Sequence, residues 1–185
     1  GNTTNLSSPK QVGALTTWLS VSCGSYHTVS IKTDGTLWSW GVNNWGQLGL
    51  GNVTYFSSPK QVGALTTWSS VACGYYHTVS IKTDGTLWIW GYNAYGQLGL
   101  GNTTPYSSPK QVGALTNWLS VSCGYAHTVS IKTNGTLWSW GYNTKGQLGL
   151  NNTTYYSSPK QVGALTSWTK LFKGCTTYST LAIHS

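Results

Sequence analysis

An all-β fold assembled from repeated four-stranded sheets is predicted by three features of this 185-residue sequence. Nearly the same string of residues begins at Cys23, at Cys73 and at Cys123. Trp18, Trp68, Trp118 and Trp168 mark one position in four successive units, which sets the period at 50 residues, and a fixed period of this length signals a stacked repeat architecture. Within each unit apolar and polar residues alternate, and no stretch carries the 3.6-residue periodicity of a helix.

Each unit opens on a turn-rich segment, as in Gly51-Asn-Val-Thr-Tyr-Phe-Ser-Ser-Pro-Lys60, followed by a short strand at Lys60-Gln-Val. Pro59 suits an outer strand, where a missing backbone donor is tolerated. A second strand is predicted from Trp68 to Cys73. The hairpin follows: His77-Thr-Val-Ser-Ile-Lys alternates apolar and polar residues, Asp84-Gly85 is expected to supply the positive-φ turn positions, and Thr86-Leu-Trp-Ile-Trp returns. Four short strands in 50 residues make one blade. A lone blade exposes two apolar faces, so blades must stack, and radial stacking yields a β-propeller. Trp88 and Trp90 share a face of the last hairpin strand. Burying one Trp is worth roughly 4–6 kcal/mol gross at about 25 cal/mol per Å², so Trp38, Trp40 and their equivalents are expected to be buried between blades.

The expected organisation is one domain over residues 1–185, with repeats at 1–50, 51–100, 101–150 and a partial repeat at 151–185. The last unit departs from the pattern after Trp168 and stops before its Trp-x-Trp strand. The expected propeller is therefore incomplete in one chain: an opening outer strand, three full blades and a partial blade. Met is absent even at position 1, which predicts a chain processed or incomplete at its N-terminus. No run of about twenty apolar residues marks a membrane span, and no secretory leader is legible.

Ten Lys and no Arg, set against Asp34 and Asp84, give a formal charge of +8. Phosphate recognition favours Arg forks and basic clusters. Here seven Lys recur at fixed places in the repeat, as Lys10, Lys60, Lys110 and Lys160 and as Lys32, Lys82 and Lys132. They read as solvated edge lysines, and nucleic acid is not an expected partner. The four cysteines (Cys23, Cys73, Cys123, Cys175) each sit beside a Gly before the hairpin and read as small buried residues rather than disulfides or ligands.

The pattern Gly-x-x-His-Thr, then Asp-Gly or Asn-Gly, then Leu-Trp-x-Trp-Gly-x-Asn-x-x-Gly-Gln-Leu-Gly-Leu resembles the repeat of the regulator of chromosome condensation family. It is carried here by Gly24, His27, Asp34, Gly35, Trp40, Gly41, Asn43, Gly46, Gln47, Leu48 and Gly49, and by the residues 50 and 100 positions later, with Asn134 replacing Asp. The resemblance implies a β-propeller, usually of seven blades in that family. It does not extend to nucleotide exchange, because this chain has no inserted wedge and no acidic patch.

Catalysis is not expected. The two Asp lie in hairpin turns, where Asp is favoured for backbone geometry, and the Ser25, His27 and Asp34 trio is broken to Tyr75 and Asn134 in other units. The Cys-x-x-x-His spacing of Cys23/His27, Cys73/His77 and Cys123/His127 suits zinc only if blades converge, and a histidine bonded to backbone between blades is the preferred reading. No cofactor is expected.

The near-identical units differ most in aromatic loops. Positions 25 and 26 read Ser-Tyr, then Tyr-Tyr, then Tyr-Ala; positions 42, 44 and 45 read Val, Asn and Trp, then Tyr, Ala and Tyr, then Tyr, Thr and Lys; a third group holds Tyr55-Phe56, Pro105-Tyr106 and Tyr155-Tyr156. Aromatic loops on a rigid scaffold point to binding. The resemblance adds that the loop between the motif's Gly and His lies at one end of the propeller, and that aromatic residues there help form a subunit interface in a plant member of the family. Here that loop carries Ser25, Tyr26, Tyr75, Tyr76, Tyr125 and Ala126. The candidate binding residues are Tyr26, Tyr75, Tyr76 and Tyr125, with Trp45, Tyr95 and Lys145 in a second loop whose side of the ring is open. The leading reading is a non-enzymatic scaffold that binds a protein. The alternatives are a structural subunit whose open edges pair between copies in a homo-oligomer or fibre, and a carbohydrate-binding lectin. The low charge and abundant Thr, Asn and Tyr lean toward an extracellular or virion surface.

Overall fold

The computed structural model describes residues 1–14, 16–172, 179 and 182–184, and every regular element among them is a β-strand. In the first blade β1 (Trp18–Cys23), β2 (His27–Lys32), β3 (Leu37–Gly41) and β4 (Phe56–Gln61) lie antiparallel in that order. The second blade repeats this with β5 (Trp68–Cys73), β6 (His77–Lys82), β7 (Leu87–Gly91) and β8 (Tyr106–Gln111). The third uses β9 (Trp118–Cys123), β10 (His127–Lys132), β11 (Leu137–Gly141) and β12 (Tyr156–Gln161). A two-stranded sheet of β13 (Trp168–Leu171) and β14 (Ala182–His184) follows. Among the described residues no helix is long and apolar enough to cross a membrane.

Two sequence expectations shift. The strand that opens each 50-residue unit is hydrogen-bonded to the hairpin of the unit before it, so blades run Trp18–Gln61, Trp68–Gln111 and Trp118–Gln161. Residues 10–12, the counterpart of these strands in the first unit, form no strand. Pro59 lies within β4, the outermost strand. The turns also differ from the expected pair of positive-φ residues: Gly35 and Gly85 have φ of 77° and 76°, and neither Asp does. Gly35 N–H donates to the Lys32 carbonyl and Lys32 N–H to the Thr36 carbonyl, a type I turn closed by a left-handed glycine. The Asp34 carboxylate accepts from Thr36 N–H and Thr36 Oγ1 at 2.9 and 2.7 Å, and the Asp84 carboxylate does the same for Thr86.

The core lies between blades. Val29, Ile31 and Leu37 of the first blade meet Trp68, Val71, Cys73 and Trp90 of the second, and an equivalent cluster around Trp140 joins the second to the third. Trp90 and Trp140 are fully buried, each against the blade before its own, whereas Trp40 of the first blade is half-buried. Trp38, Trp88 and Trp138 are also only half-buried, which corrects the expectation for that position. Their rings lie at the outer edge of each interface and carry a lysine ammonium: Lys32 Nζ over Trp38 at 3.8 Å, Lys82 over Trp88 at 3.6 Å, Lys132 over Trp138 at 3.7 Å. These three lysines are buried, so the edge-lysine reading fails for them. It fits Lys60, Lys110 and Lys160, which are exposed on outermost strands. Cys73 and Cys123 are buried free thiols, while Cys23 is exposed on the uncovered first blade.

A polar relay links the blades through the same interfaces. The Gln47 carbonyl accepts from Trp90 Nε1 at 2.9 Å and from Thr78 Oγ1 at 2.8 Å. Thr78 Oγ1 has spent its single proton on that carbonyl, so its contact with His27 Nε2 at 2.9 Å requires the histidine to donate. The next interface repeats the set with Gln97, Trp140, Thr128 and His77. His27 and His77 thus bond to a hydroxyl of the next blade rather than to backbone. Their rings sit on glycine: a Cβ at Gly24 or Gly74 would lie about 2 Å from the imidazole Cε1 (2.2 and 2.1 Å). Burial holds His27, His77 and His127 well below the ordinary value, at about 4, about 3 and about 4.

Candidate functional site

The loops that enter β2, β6 and β10 carry Tyr26, Tyr75, Tyr76 and Tyr125, and the loops that leave β3, β7 and β11 carry Trp45, Tyr92, Tyr95 and Tyr142. In an antiparallel blade the entry of the second strand and the exit of the third are at the same end. His27 pairs with Gly41 and His77 with Gly91. The two loop sets, left open in the sequence, therefore share one face.

Their rings form a continuous chain. Tyr26 meets Tyr75 edge-on at 5.9 Å and stacks with Tyr76 at 6.0 Å. Tyr75 contacts Tyr76 at 4.3 Å and Tyr125 at 4.7 Å. Tyr76 reaches Tyr92 at 6.5 Å, and Tyr92 packs on Trp45 at 4.7 Å. Beyond Tyr92 the chain passes through Tyr95 to Tyr142 at 4.8 Å and on to Tyr155 at 5.1 Å. Tyr26 and Trp45 are exposed by 55% and 41%, while Tyr75, Tyr76, Tyr95 and Tyr125 are half-buried. Such edge-to-face pairs add about 0.5–1.5 kcal/mol each beyond area burial, so the rings hold one another in place and still present their outer edges.

The hydroxyls pair as well. Hydrogen bonding with Tyr75 raises the Tyr26 phenol above its ordinary value, and burial, with Tyr95 beside it, does the same for Tyr92. The Tyr26 and Tyr92 phenols are thus neutral at physiological pH. It is also shallow: the hollow among Tyr75, Tyr76, Tyr92, Tyr125 and Ala126 encloses about 10 Å³, far below the several hundred of a small-molecule pocket.

Lys145 is exposed, its backbone N–H bonded to Gln147 Oε1 at 2.9 Å. It occupies the third-loop counterpart of Trp45 and Tyr95 and makes no ring contact among the described residues, because each of those rings packs on a tyrosine of the following blade. Ala126 is buried at 2% exposure and lies beneath the face rather than on it. The bridging residues absent from the candidate set are Tyr92, Tyr142 and Tyr155. Position 42 of the repeat is tyrosine in the two later units and position 55 is tyrosine in the first and third, but only spatial proximity joins them to the Gly-His loop. Among the described residues no three His, Cys, Asp or Glu converge as a metal site would require. Cys175 lies outside the described residues.

The sequence profile of the regulator of chromosome condensation (RCC1) repeat matches residues 34–81, 84–131 and 134–179. A second profile of the same repeat matches 18–47, 68–97 and 118–147, in phase with the blades. Among solved structures, Prp20p of Saccharomyces cerevisiae, described with its binding to Gsp1p and histones, superposes with a TM-score of 0.78 at 22% identity, over 89% of this chain and 43% of that one. Yeast RCC1 (Prp20) in the structure with Kap60 gives 0.77 at 22% identity, over 88% and 41%. Human WBSCR16 gives 0.64 at 18%, over 86% and 56%. The chain spans less than half the length of the Prp20 chains it matches, and the likeness at this identity is one of fold.

Proposed function

Because the chain belongs to the regulator of chromosome condensation (RCC1) repeat family, we propose that it is a non-catalytic binding scaffold that engages a protein partner through its tyrosine face. The observation that carries this reading is the continuous run of rings from Tyr26 through Tyr75, Tyr76, Tyr92 and Tyr95 to Tyr155, spread over all three blades. Tyr and Trp bring large contact area with few rotors to order, which is why interface hot spots favour them. The shallow relief suits a macromolecular surface better than a small ligand. Prp20, on the same fold, is a protein that binds Gsp1p, histones and Kap60. The non-catalytic part of the reading is supported by Asp34 and Asp84, whose carboxylates are engaged by Thr36 and Thr86.

The test is selection of binding peptides from a random displayed library on the wild-type protein, followed by titration against Tyr75→Ser/Tyr125→Ser. Loss of affinity by about tenfold or more, two hot-spot rings being worth at least about 1.4 kcal/mol together, in a variant that keeps a cooperative unfolding transition, supports the face. Equal binding by the variant refutes it. Binding to an arrayed glycan that the same variant loses would favour the lectin alternative.

A further inference from the structure

Two equivalent cavities lie where consecutive blades meet. The first, of about 400 Å³, is lined by Leu50, Leu65, Trp68, Lys82, Trp88 and Pro109. The second, of about 450 Å³, is lined by the residues fifty positions on: Leu100, Leu115, Trp118, Lys132, Trp138 and Pro159. Lys82 ends β6 while Tyr75 and Tyr76 precede it, so these cavities are distinct from the tyrosine face.

Each cavity contains one buried cation. Lys82 is 8% and Lys132 6% exposed. Lys82 Nζ lies 3.6 Å from the centroid of Trp88 and 5.0 Å from that of Trp68; for Lys132 the distances to Trp138 and Trp118 are 3.7 and 4.7 Å. The ring faces offset part of the cost of taking the ammonium out of water. They accept none of its three N–H donors, and among the described residues neither ammonium makes a hydrogen bond or an ion pair. An ammonium whose carbon stem is buried and whose donors have no protein acceptor among the described residues favours a charged acceptor. The walls are mainly tryptophan, leucine, valine and proline, with Gln61 and Ser108 in the first cavity and Gln111 and Ser158 in the second, and one ring of each is held in place: Trp88 Nε1 donates to Thr86 Oγ1 at 2.8 Å and Trp138 Nε1 to Thr136 Oγ1 at 2.9 Å. A volume of this size with mainly apolar walls and a few polar groups is the usual form of a small-ligand site.

We propose that each inter-blade cavity binds a carboxylate carried on a small aromatic or branched apolar body, the carboxylate accepting from Lys82 or Lys132 Nζ and the body lying between the tryptophan and leucine walls. The two sites are unequal. The turn beside Lys82 carries Asp84, whose carboxylate repels an incoming anion, whereas the turn beside Lys132 carries the neutral Asn134. The Lys132 site is the tighter of the two.

The test is isothermal titration of the intact protein with 3-phenylpropanoate, with its neutral amide, and with a tripeptide ending in Phe with a free carboxylate. The expected result is two sites per chain for the acid, with the amide weaker by about tenfold or more, the worth of one charge-assisted hydrogen bond. Lys132→Met removes the tighter site, Lys82→Met the weaker one, and Asp84→Asn brings the two affinities together. Tripeptide binding at the same stoichiometry identifies a chain end as the source of the carboxylate, and binding of the free acid alone identifies a small molecule. Equal affinity for acid and amide, or binding that survives Lys82→Met/Lys132→Met, overturns the proposal. Should the double variant lose its near-ultraviolet circular dichroism, the wild-type indole N–H spectrum decides: signals of Trp88 and Trp138 that move on titration support the site, and signals that stay fixed overturn it.

Discussion

Mild acid should unfold this protein, and the three inter-blade histidines set both the pH window and the size of the effect. In the folded chain His27, His77 and His127 titrate at about 4, about 3 and about 4, against an ordinary value of 6.5. Burial is the first cause for each, and the neighbouring histidines push His77 down further. A folded value below the unfolded one means that the unfolded chain takes up protons first as pH falls. The stabilisation is complete above about pH 6.5 and is lost as pH falls from there toward the folded values. At pH 5 all three folded values are still lower than the pH, so the loss depends only on the unfolded titration. From pH 7 to pH 5 it amounts to about 1.9 kcal/mol per histidine, or about 5–6 kcal/mol for three, at 1.36 kcal/mol per unit. That is comparable with the whole stability of many domains. Asp34 and Asp84 act in the same direction, since hydrogen bonds from Thr36 and Thr86 lower them, but they do so below 3.8 and outside this window. Urea denaturation at pH 7, 6 and 5 and constant ionic strength measures the effect. His77→Gln, which keeps a side-chain N–H donor for Thr128, should lower the pH slope by about one third, its share of three equal proton uptakes. A free energy of unfolding that is flat from pH 7 to pH 5, or a slope that His77→Gln leaves unchanged, refutes the argument.

Three further outcomes follow from the packing. Trp90→Ala should cost about 3–5 kcal/mol, the range for large aromatic deletions in a core, read as a lower urea midpoint at unchanged slope, because Trp90 is fully buried and its Nε1 bonds to Gln47. Thr128→Val leaves both the His77 Nε2–H and the Gln97 carbonyl short of a partner and should cost about 1–3 kcal/mol; equal stability by calorimetry would remove the relay from the account of how blades are held. Gly85→Ala should be strongly destabilising, since the backbone there has φ of 76° and the new Cβ would lie 2.1 Å from the Thr116 carbonyl oxygen; a melting temperature within a degree or two of wild type would contradict it.

Much of the fold is local and was legible in the sequence. The alternation in His77-Thr-Val-Ser-Ile-Lys, the Asp-Gly and Asn-Gly turns and the 50-residue tryptophan spacing specify strands, hairpins and blades through interactions between residues near in the chain. What sequence periodicity cannot carry is which unit a strand pairs with and which loops meet in space. Phe56–Gln61 reads as the opening of its own repeat, yet it is hydrogen-bonded to Leu37–Gly41 of the blade before, because the antiparallel return of the chain brings it there. Lys82 and Lys132 look like edge lysines one strand at a time; pairing within the blade sets each ammonium on tryptophan rings, Trp68 standing opposite Lys82 and Trp118 opposite Lys132, and only the packing of a blade against its neighbour encloses them in a cavity. The tyrosine face shows the same division. That Tyr75 and Tyr125 lie in loops was readable from Gly and His positions alone; that Tyr92, Tyr95 and Tyr155 continue the same surface was decided by the stacking of blades, which sets rings from different repeats 4–6 Å apart, as in Tyr75 and Tyr125 at 4.7 Å and Tyr95 and Tyr142 at 4.8 Å.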